Sequence, residues 1–316
     1  MSDRLLTLAR THPNSTLLLE AHHSAWATRF SGGEPSAARG HCEEGRRLYD
    51  FDRHRSLATM YGGHDPGCCA CQFASWSEWL LGYPDTAIES INEGQRLAER
   101  LAVPLVLNQN LLFEAVLRVS RGESELALCR AREARAHAID QRLAPLLDPD
   151  ILAAGALAGQ SAVVDALSLI EKKSATRAAL GVVYGPLQMA VAAEVLCCAG
   201  DYNGAAAALA EAEAAIAAAG GRWWEAEIHR LKGLLLLSRR ALAESAAYFE
   251  HAIEIARQQQ AKSLELRAAT SLARLWGERG RRAEARALLA PVCGWFTEGF
   301  DTTDLKVAKG LLDELT

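Results

Sequence analysis

The sequence predicts an all-α protein built as a linear array of helical hairpins. Five stretches share one pattern, in which a glycine is followed by four residues and then an alanine. Two weaker copies, Gly159 to Val164 and Arg240 to Ser245, fill the gaps between them. The final positions of the seven copies are 38, 87, 127, 164, 205, 245 and 285, so the spacing is close to 40 residues throughout except for a first step of 49. A constant period over almost the whole chain indicates a repeat array.

Each unit is predicted to be two helices joined by a tight turn. The glycine ends the first helix in the left-handed conformation that other residues adopt at a cost, and the small alanine lets the second helix pack closely. In the clearest unit, residues 201–203 form the turn after Gly200, and residues 205–219 consist almost entirely of strong helix formers. We expect about seven hairpins in one domain over residues 1–316, with a capping helix near Thr303 to Leu315.

A hairpin of this kind cannot bury its apolar face alone, so neighbouring units should stack into a superhelix with a concave groove. This is the tetratricopeptide pattern, although the usual unit is about 34 residues long. A period nearer 40 implies longer helices or longer links. The sequence thus predicts a tetratricopeptide-like superhelical solenoid.

Composition narrows the functional classes. The formal net charge is −5, which argues against a nucleic-acid partner because such surfaces need a basic excess. No apolar run reaches the roughly 18 residues of a membrane span, and the N-terminus lacks the basic-then-apolar order of a signal peptide. Eight cysteines without a secretion signal indicate reduced thiols in the cytoplasm. We expect a cytoplasmic protein, and the start Met1-Ser2-Asp3 favours a free-standing chain.

Several stretches resemble one family. They are residues 48–67, 79–85, 222–233 and, most closely, 252–315, which includes 261–276 and 294–301. They are similar to the C-terminal tetratricopeptide region of large bacterial signalling regulators, where the array follows an adenylate or guanylate cyclase-type or DNA-binding domain and an NTPase domain. The resemblance implies a region that senses an effector or binds a partner, without catalytic residues. No Gly-x-x-x-x-Gly-Lys-Ser/Thr phosphate loop is present in this chain.

One segment departs from the family pattern. Residues 143–165 contain Pro145, then Asp148-Pro149-Asp150, then a run rich in alanine and glycine. Small side chains there would open space in the middle of the superhelix. The segment reflects either drift in a tolerant repeat or a remodelled ligand pocket.

Polar and aromatic residues on otherwise apolar helices mark the first candidate site, in the groove. Asn108 and Asn110 interrupt the apolar run 105–119, and buried amides need partners. Trp224 follows Trp223 at the start of the sixth unit, and one of the two should face the concave side with Glu227 and Arg230. These five residues are the predicted contacts for a peptide, a protein or a small effector.

The N-terminal repeats hold an alternative site. Its candidates are His22, His64, Asp65, Cys68 and Cys71. Asp65 before Pro66 is also a helix N-cap signal, and His22 and His23 point about 100° apart on a helix, so only one of them can face the groove with His64. Cys68-x-x-Cys71 lacks the further ligands of a structural zinc site, so no metal and no cofactor is predicted.

The leading expectation is therefore a non-catalytic scaffold that binds a peptide, a protein or a small effector in its groove. The alternative is a free-standing enzyme or a small-molecule binding protein, with or without a metal requirement, with its site in the N-terminal repeats. No catalytic motif is evident.

Overall fold

A computed structural model describes residues 2–11, 14–144, 146–173 and 184–316 of the chain. Pro145, named above as part of the divergent segment, lies outside these residues. The described residues contain helices and no β-strand, which confirms the predicted all-α class. No described helix is both long and apolar enough to cross a bilayer.

The helices of the first half begin with α1, a short helix that packs on the first hairpin. Their bounds are α1 Ser2–Arg10, α2 Ser15–Ser31, α3 Pro35–Leu48, α4 Phe51–His54, α5 Ser56–Met60, α6 Pro66–Leu81, α7 Pro84–Leu101, α8 Pro104–Arg121 and α9 Ser124–Asp140. Here α2–α3, α6–α7 and α8–α9 are the first three hairpins. The short helices α4 and α5 lie between the first and the second, which explains why that spacing is longer than the others.

The second half continues the array with four more hairpins, α10–α11, α12–α13, α14–α15 and α16–α17, and ends in the predicted capping helix. The bounds are α10 Pro149–Gly159, α11 Val163–Lys173, α12 Gly185–Cys198, α13 Tyr202–Ala219, α14 Glu225–Ser238, α15 Leu242–Gln258, α16 Lys262–Glu278, α17 Arg282–Cys293 and α18 Thr303–Glu314. A short 3-10 helix, Arg222–Trp224, precedes α14.

The turn pattern follows the sequence prediction with one correction. All five turn glycines have left-handed backbone angles, with φ between 74° and 92°, and Arg240 has a φ of 60°. In the unit after Ala127, however, the left-handed residue is Ser161 (φ 62°) and not Gly159, which is still inside α10. The small residue of that unit is accordingly Ala166 and not Val164, whose side chain is 82% exposed.

With that correction, the seven small positions share one environment, because each is 0% exposed where the two helices of its hairpin meet. They are Ala38, Ala87, Ala127, Ala166, Ala205, Ser245 and Ala285.

The first helices of the hairpins form the inner layer of the array, and aromatic rings fill much of the space between them. Every residue of α6 is buried. Trp76 of α6 stacks on Phe113 of α8 with ring centroids 4.0 Å apart, and on Trp223 with centroids 5.2 Å apart. Phe30 of α2 also contacts Trp223, at 4.8 Å. Residues from the first three hairpins and the sixth therefore share one core.

The C-terminal hairpins pack against the N-terminal ones, so the array closes on itself. Ser263 of α16 donates a hydrogen bond to the carbonyl of Trp79 at 2.5 Å. The carboxylate of Glu298 accepts from the backbone N–H groups of Asp85 and Thr86 at 2.8 and 2.9 Å, and so caps the start of α7. The expected concave groove is thus not a continuous open channel, because aromatic packing and these contacts occupy much of it. A central cavity remains.

Candidate functional site

The cavity has a volume of about 450 Å³ and lies among the inner helices α8, α10, α12, α14 and α16 and the capping helix α18. A volume of this size is within the range of about 300–1,000 Å³ that is typical of small-ligand pockets. Its walls come from both the middle and the C-terminal end of the chain. A ligand bound there would contact elements that are far apart in sequence.

One wall is made of very small residues of α10. Gly155, Ala156, Ala158 and Gly159 all line the cavity. A Cβ at Gly155 would lie 2.7 Å from Cγ1 of Val191, so a larger side chain would displace the opposite wall. This is the segment that departs from the repeat pattern, and its small side chains border the central space as the pocket interpretation requires.

The other end of the cavity carries a buried ion-pair network. Arg230 of α14 donates to Glu227 at 2.8 and 2.9 Å and lies 3.4 Å from Glu194 of α12. Arg267 of α16 also reaches Glu227, at 3.1 Å, and forms a 2.8 Å bond with Asp304 of α18. Arginine forks suit this bridging role because each presents several donors in fixed geometry.

The network also keeps the Glu227 carboxylate ionised. Burial alone would raise the pKa of Glu227, but Arg230 and Arg267 outweigh that effect and lower this pKa to about 2. Arg267 also donates to the carbonyl of Ser120 in α8 at 2.6 Å. The network therefore ties α8, α12, α14, α16 and α18 together around the cavity.

Two residues that line the cavity carry a donor without a partner among the described residues. Arg274 of α16 is exposed and forms no ion pair with any described residue. The indole N–H of Trp224 is buried, and no acceptor for it exists within the described part of the chain. A buried donor without a partner is costly unless something else accepts its hydrogen bond. Both groups favour a ligand that presents acceptor oxygens.

The five predicted groove residues divide into two groups. Trp224 and Arg230 line the cavity, and Glu227 supports Arg230 from behind. Asn108 and Asn110 lie outside it. Asn108 donates to the carbonyl of Ala134 in α9 at 2.7 Å, and Asn110 donates to Gln95 of α7 at 2.9 Å. Both amides are 0% exposed; Asn108 joins the two helices of the third hairpin, and Asn110 joins the third hairpin to the second.

Sequence reasoning did not select Arg267 and Arg274 as site residues. Both belong to the 252–315 stretch that carries the family resemblance, and their seven-residue spacing places them on one face of a helix. That spacing was the feature of the sequence from which the two arginines could have been selected. It is weak, because an arginine on a helix is most often a solvated surface residue.

The alternative site is also divided by the structure. His22 pairs with His41 at 3.1 Å between their Nδ1 atoms and does not reach His64. Asp65 is confirmed as the N-cap of α6, since its carboxylate accepts from the Cys68 N–H at 2.9 Å, and it also accepts from the Tyr49 hydroxyl at 2.9 Å. Cys68 and Cys71 are buried without a shared ligand set.

Of the predicted residues, His64 meets two neighbours of the others. His23, His64 and Cys69 bring their nitrogen and sulfur atoms within 4.8 Å of one another. The sequence pointed to the correct loop residue but to adjacent positions on the two helices, because rotation about a helix axis cannot be read from a single motif.

No protein-family model matches the chain. The uncharacterized protein R02095 of Rhizobium meliloti (strain 1021) is 26% identical over 271 residues, which cover 81% of this chain and 25% of that protein. The chain therefore spans about a quarter of the length of this curated relative.

Two solved structures align with most of the chain. A Rap protein complexed with Competence and Sporulation Factor aligns with a TM-score of 0.55 at 12% identity, over 94% of this chain and 96% of that one. The TPR2AB domain of yeast Sti1, in a complex with pHSP90, aligns over the same shares with a TM-score of 0.33 at 14% identity. The helical hairpins, their left-handed turns and the first of these likenesses together show that the chain has the fold of a tetratricopeptide-like helical solenoid.

Proposed function

We propose that this protein is a non-catalytic sensing scaffold that binds a short peptide or a comparable small carboxylate in its central cavity. One observation carries the proposal. The cavity combines a wall of small apolar residues with the exposed guanidinium of Arg274, and Trp224, another lining residue, has a buried indole N–H without an acceptor among the described residues. An apolar pocket with a few fixed polar groups is the usual architecture of a ligand site.

The ion-pair network supports a sensing role. Its members come from the fifth, sixth and seventh hairpins and the capping helix, and Glu227 bonds both Arg230 of its own helix and Arg267 of α16. A ligand that touches α10, α16 and α18 together would favour the closed arrangement, because binding stabilises the state that offers more contacts. The capping helix would then report occupancy to a partner.

The comparisons support the same class of function without specifying the ligand. The similar Rap structure was determined with Competence and Sporulation Factor bound, so a solenoid of related shape accommodates an effector. The curated relative is about four times longer than the matched region, which is consistent with a sensing array inside a larger cyclase-type or NTPase-containing regulator. We place such a regulator in the cytoplasm.

The test uses the full chain and a defined probe set. Di- to tetrapeptides with a free C-terminal carboxylate, and the same peptides as C-terminal amides, are screened by thermal denaturation, and the active ones are measured by calorimetry. We expect some free acids to raise the Tm and their amides to bind more weakly. Arg274→Ala should reduce affinity about tenfold, which corresponds to about 1.4 kcal/mol.

Matched variants locate the site. Arg279→Ala removes an exposed arginine just after the same helix, away from the cavity, and should bind like the wild type. Trp224→Phe keeps an aromatic ring but removes the N–H, so it should lose affinity while the helical circular dichroism stays unchanged. Equal binding to wild type, Arg274→Ala and Trp224→Phe would place the ligand elsewhere, and a complete lack of active probes would refute the peptide-carboxylate class.

A further inference from the structure

A second cluster of reactive side chains lies between the first two hairpins, apart from the cavity. His23 is on α2, His64 is in the loop before α6, and Cys69 is in the first turns of α6. The Nε2 atoms of the two histidines are 2.8 Å apart. The rings are parallel, with centroids 4.8 Å apart and planes 11° apart. The possible ligand atoms of all three residues lie within 4.8 Å of one another.

The loop that carries His64 is held in a defined conformation. Gly62 and Gly63 have φ values of 66° and 93°, which glycine adopts without strain. A Cβ at Gly63 would lie 2.8 Å from Leu105, so the loop approaches α8 more closely than another residue allows. Asp65 then caps α6. This loop follows α4 and α5, the additional helices of the longer first link.

The neighbouring groups favour the imidazoles of His23 and His64 as ligands. Nδ1 of His23 is 3.1 Å from the Glu20 carboxylate, an arrangement in which Nδ1 carries the proton and Nε2 is directed at the cluster. A carboxylate behind a histidine is the usual outer partner of a metal-ligating imidazole. Two Nε2 atoms at 2.8 Å require a proton or a metal ion between them, because their lone pairs repel each other.

Cys69 is also placed to act as a ligand. Cys69 is 1% exposed, and its sulfur accepts a hydrogen bond from the Trp26 indole at 3.4 Å. The sulfur is thus shielded from large reagents. A shielded sulfur beside two imidazoles suits a bound ion better than attack on a substrate.

We propose that His23, His64 and Cys69 form a binding site for a divalent metal ion of the zinc class that links the first two hairpins. Two nitrogens and one thiolate match the borderline-soft ligand preference of Zn²⁺. Bonds of about 2.0–2.1 Å to both nitrogens would place the two Nε2 atoms about 3.3 Å apart, so the rings need to separate by only about 0.5 Å. The half-exposed imidazole edges leave a fourth position for water.

The test is metal titration of the chelator-treated full chain. Co²⁺ serves as a spectroscopic probe, and Zn²⁺ is measured in competition with a chromophoric chelator. We expect one ion per chain, a thiolate-to-cobalt charge-transfer band, and intense d–d bands that indicate tetrahedral coordination. Cys69→Ser should abolish the charge-transfer band, and His23→Gln or His64→Gln should each weaken the d–d bands and the Zn²⁺ affinity more than a hundredfold. Glu20→Gln should weaken Zn²⁺ binding by about 10–100-fold.

Neighbouring positions provide matched controls. Cys71→Ser changes a buried cysteine two residues further along α6, and His22→Gln changes the adjacent histidine, which pairs with His41. Both should bind metal like the wild type. The proposal is overturned if wild-type protein shows no charge-transfer band, or if Cys71→Ser and Cys69→Ser lose binding equally. If Cys69→Ser does not fold, Glu20→Gln and the histidine variants decide, since unchanged affinity in all of them would contradict the site.

Discussion

At the scale of single residues, the turn glycines meet two different demands. Gly82 and Gly200 both have left-handed backbones, with φ of 92° and 80°. No heavy atom of the described chain would lie within 4 Å of a Cβ at Gly200. A Cβ at Gly82 would lie 2.5 Å from the Trp295 ring and 3.0 Å from Lys262. Gly82 thus serves the turn and also the close approach of the C-terminal segment.

This difference gives a paired prediction. Gly200→Ala should lower the free energy of unfolding by about 1–2 kcal/mol, the cost of a left-handed L-residue. Gly82→Ala should cost more, because the same backbone strain is joined by displacement of Trp295. Denaturant unfolding of the two variants measures both values. Equal losses at the two positions would mean that Trp295 yields without cost.

Glu227 is the second residue for which the surroundings determine the effect of a substitution on stability. It pairs with two arginines, and its side chain is 2% exposed. Glu227→Gln should lower the free energy of unfolding by about 3 kcal/mol near neutral pH, because the arginines keep their charge but lose their counterion. Since the folded pKa lies near 2, below the unfolded value, this difference should be complete above about pH 4.5 and shrink as pH falls towards 2.

The comparison is made by denaturant unfolding across pH, with Glu284→Gln as the control. Glu284 forms an exposed ion pair with Arg281, and its loss should leave unfolding unchanged. A difference between wild type and Glu227→Gln that does not depend on pH would show that charge pairing is not its cause.

At the scale of elements, α6 places a carboxyl group in an apolar helix. Glu78 is 3% exposed, and its Oε1 lies 3.9 Å from Arg39, too far for a strong bond. Burial raises the pKa of Glu78 to about 7. A folded pKa above the unfolded value means that the protonated form favours folding, so this contribution is complete below about pH 4.5 and is lost as pH rises through 7.

Glu78→Gln should therefore flatten the pH dependence of stability between about pH 4.5 and 7. The wild type should lose up to about 3 kcal/mol over that window from this group, since one pKa unit corresponds to 1.36 kcal/mol. Thermal unfolding at several pH values measures it, and Glu43→Gln, which changes an exposed partner of Arg39, is the control. Identical slopes for wild type and Glu78→Gln would contradict the raised pKa.

Element-level features were also the ones that sequence reasoning predicted best. Local chemistry dictates the Asp65 cap and the glycine turns, and the structure confirms both. The phase of a helix is harder, because a shift of one residue rotates a side chain by about 100°. That shift separates His22 from His23 and Cys68 from Cys69. Neither position differs from its neighbour in any property that the sequence displays.

At the scale of the whole molecule, closure of the array was beyond prediction. A period reports what each unit shares with the next, whereas closure depends on single contacts between distant units. Glu298 is an example, since it supplies the carboxylate cap that the backbone at the start of α7 lacks from its own Tyr83. The Asn108 and Asn110 amides illustrate the same limit, because their buried positions follow from the packing of α9 and α7 against α8.

Glu298→Ala should loosen this closure. The variant removes the acceptor for two backbone N–H groups, so the free energy of unfolding should fall by about 0.5–2 kcal/mol. Amide exchange should rise at residues 85–86 while helices of the middle hairpins stay protected. Glu314→Ala, an exposed change on α18, is the control. Unchanged exchange at residues 85–86 would show that other contacts close the array without Glu298.

Closure has a consequence for the number of units. In an open solenoid, each hairpin touches only its neighbours, so units can be gained or lost at little cost. Here the backbone N–H of Gly299 bonds the Asp85 carboxylate across 214 positions, and that meeting depends on the summed rise and rotation of every hairpin between them. Deleting a whole internal unit would carry Gly299 past or short of Asp85. Closure therefore requires seven hairpins, because an array with six or eight units could not bring the same two surfaces together.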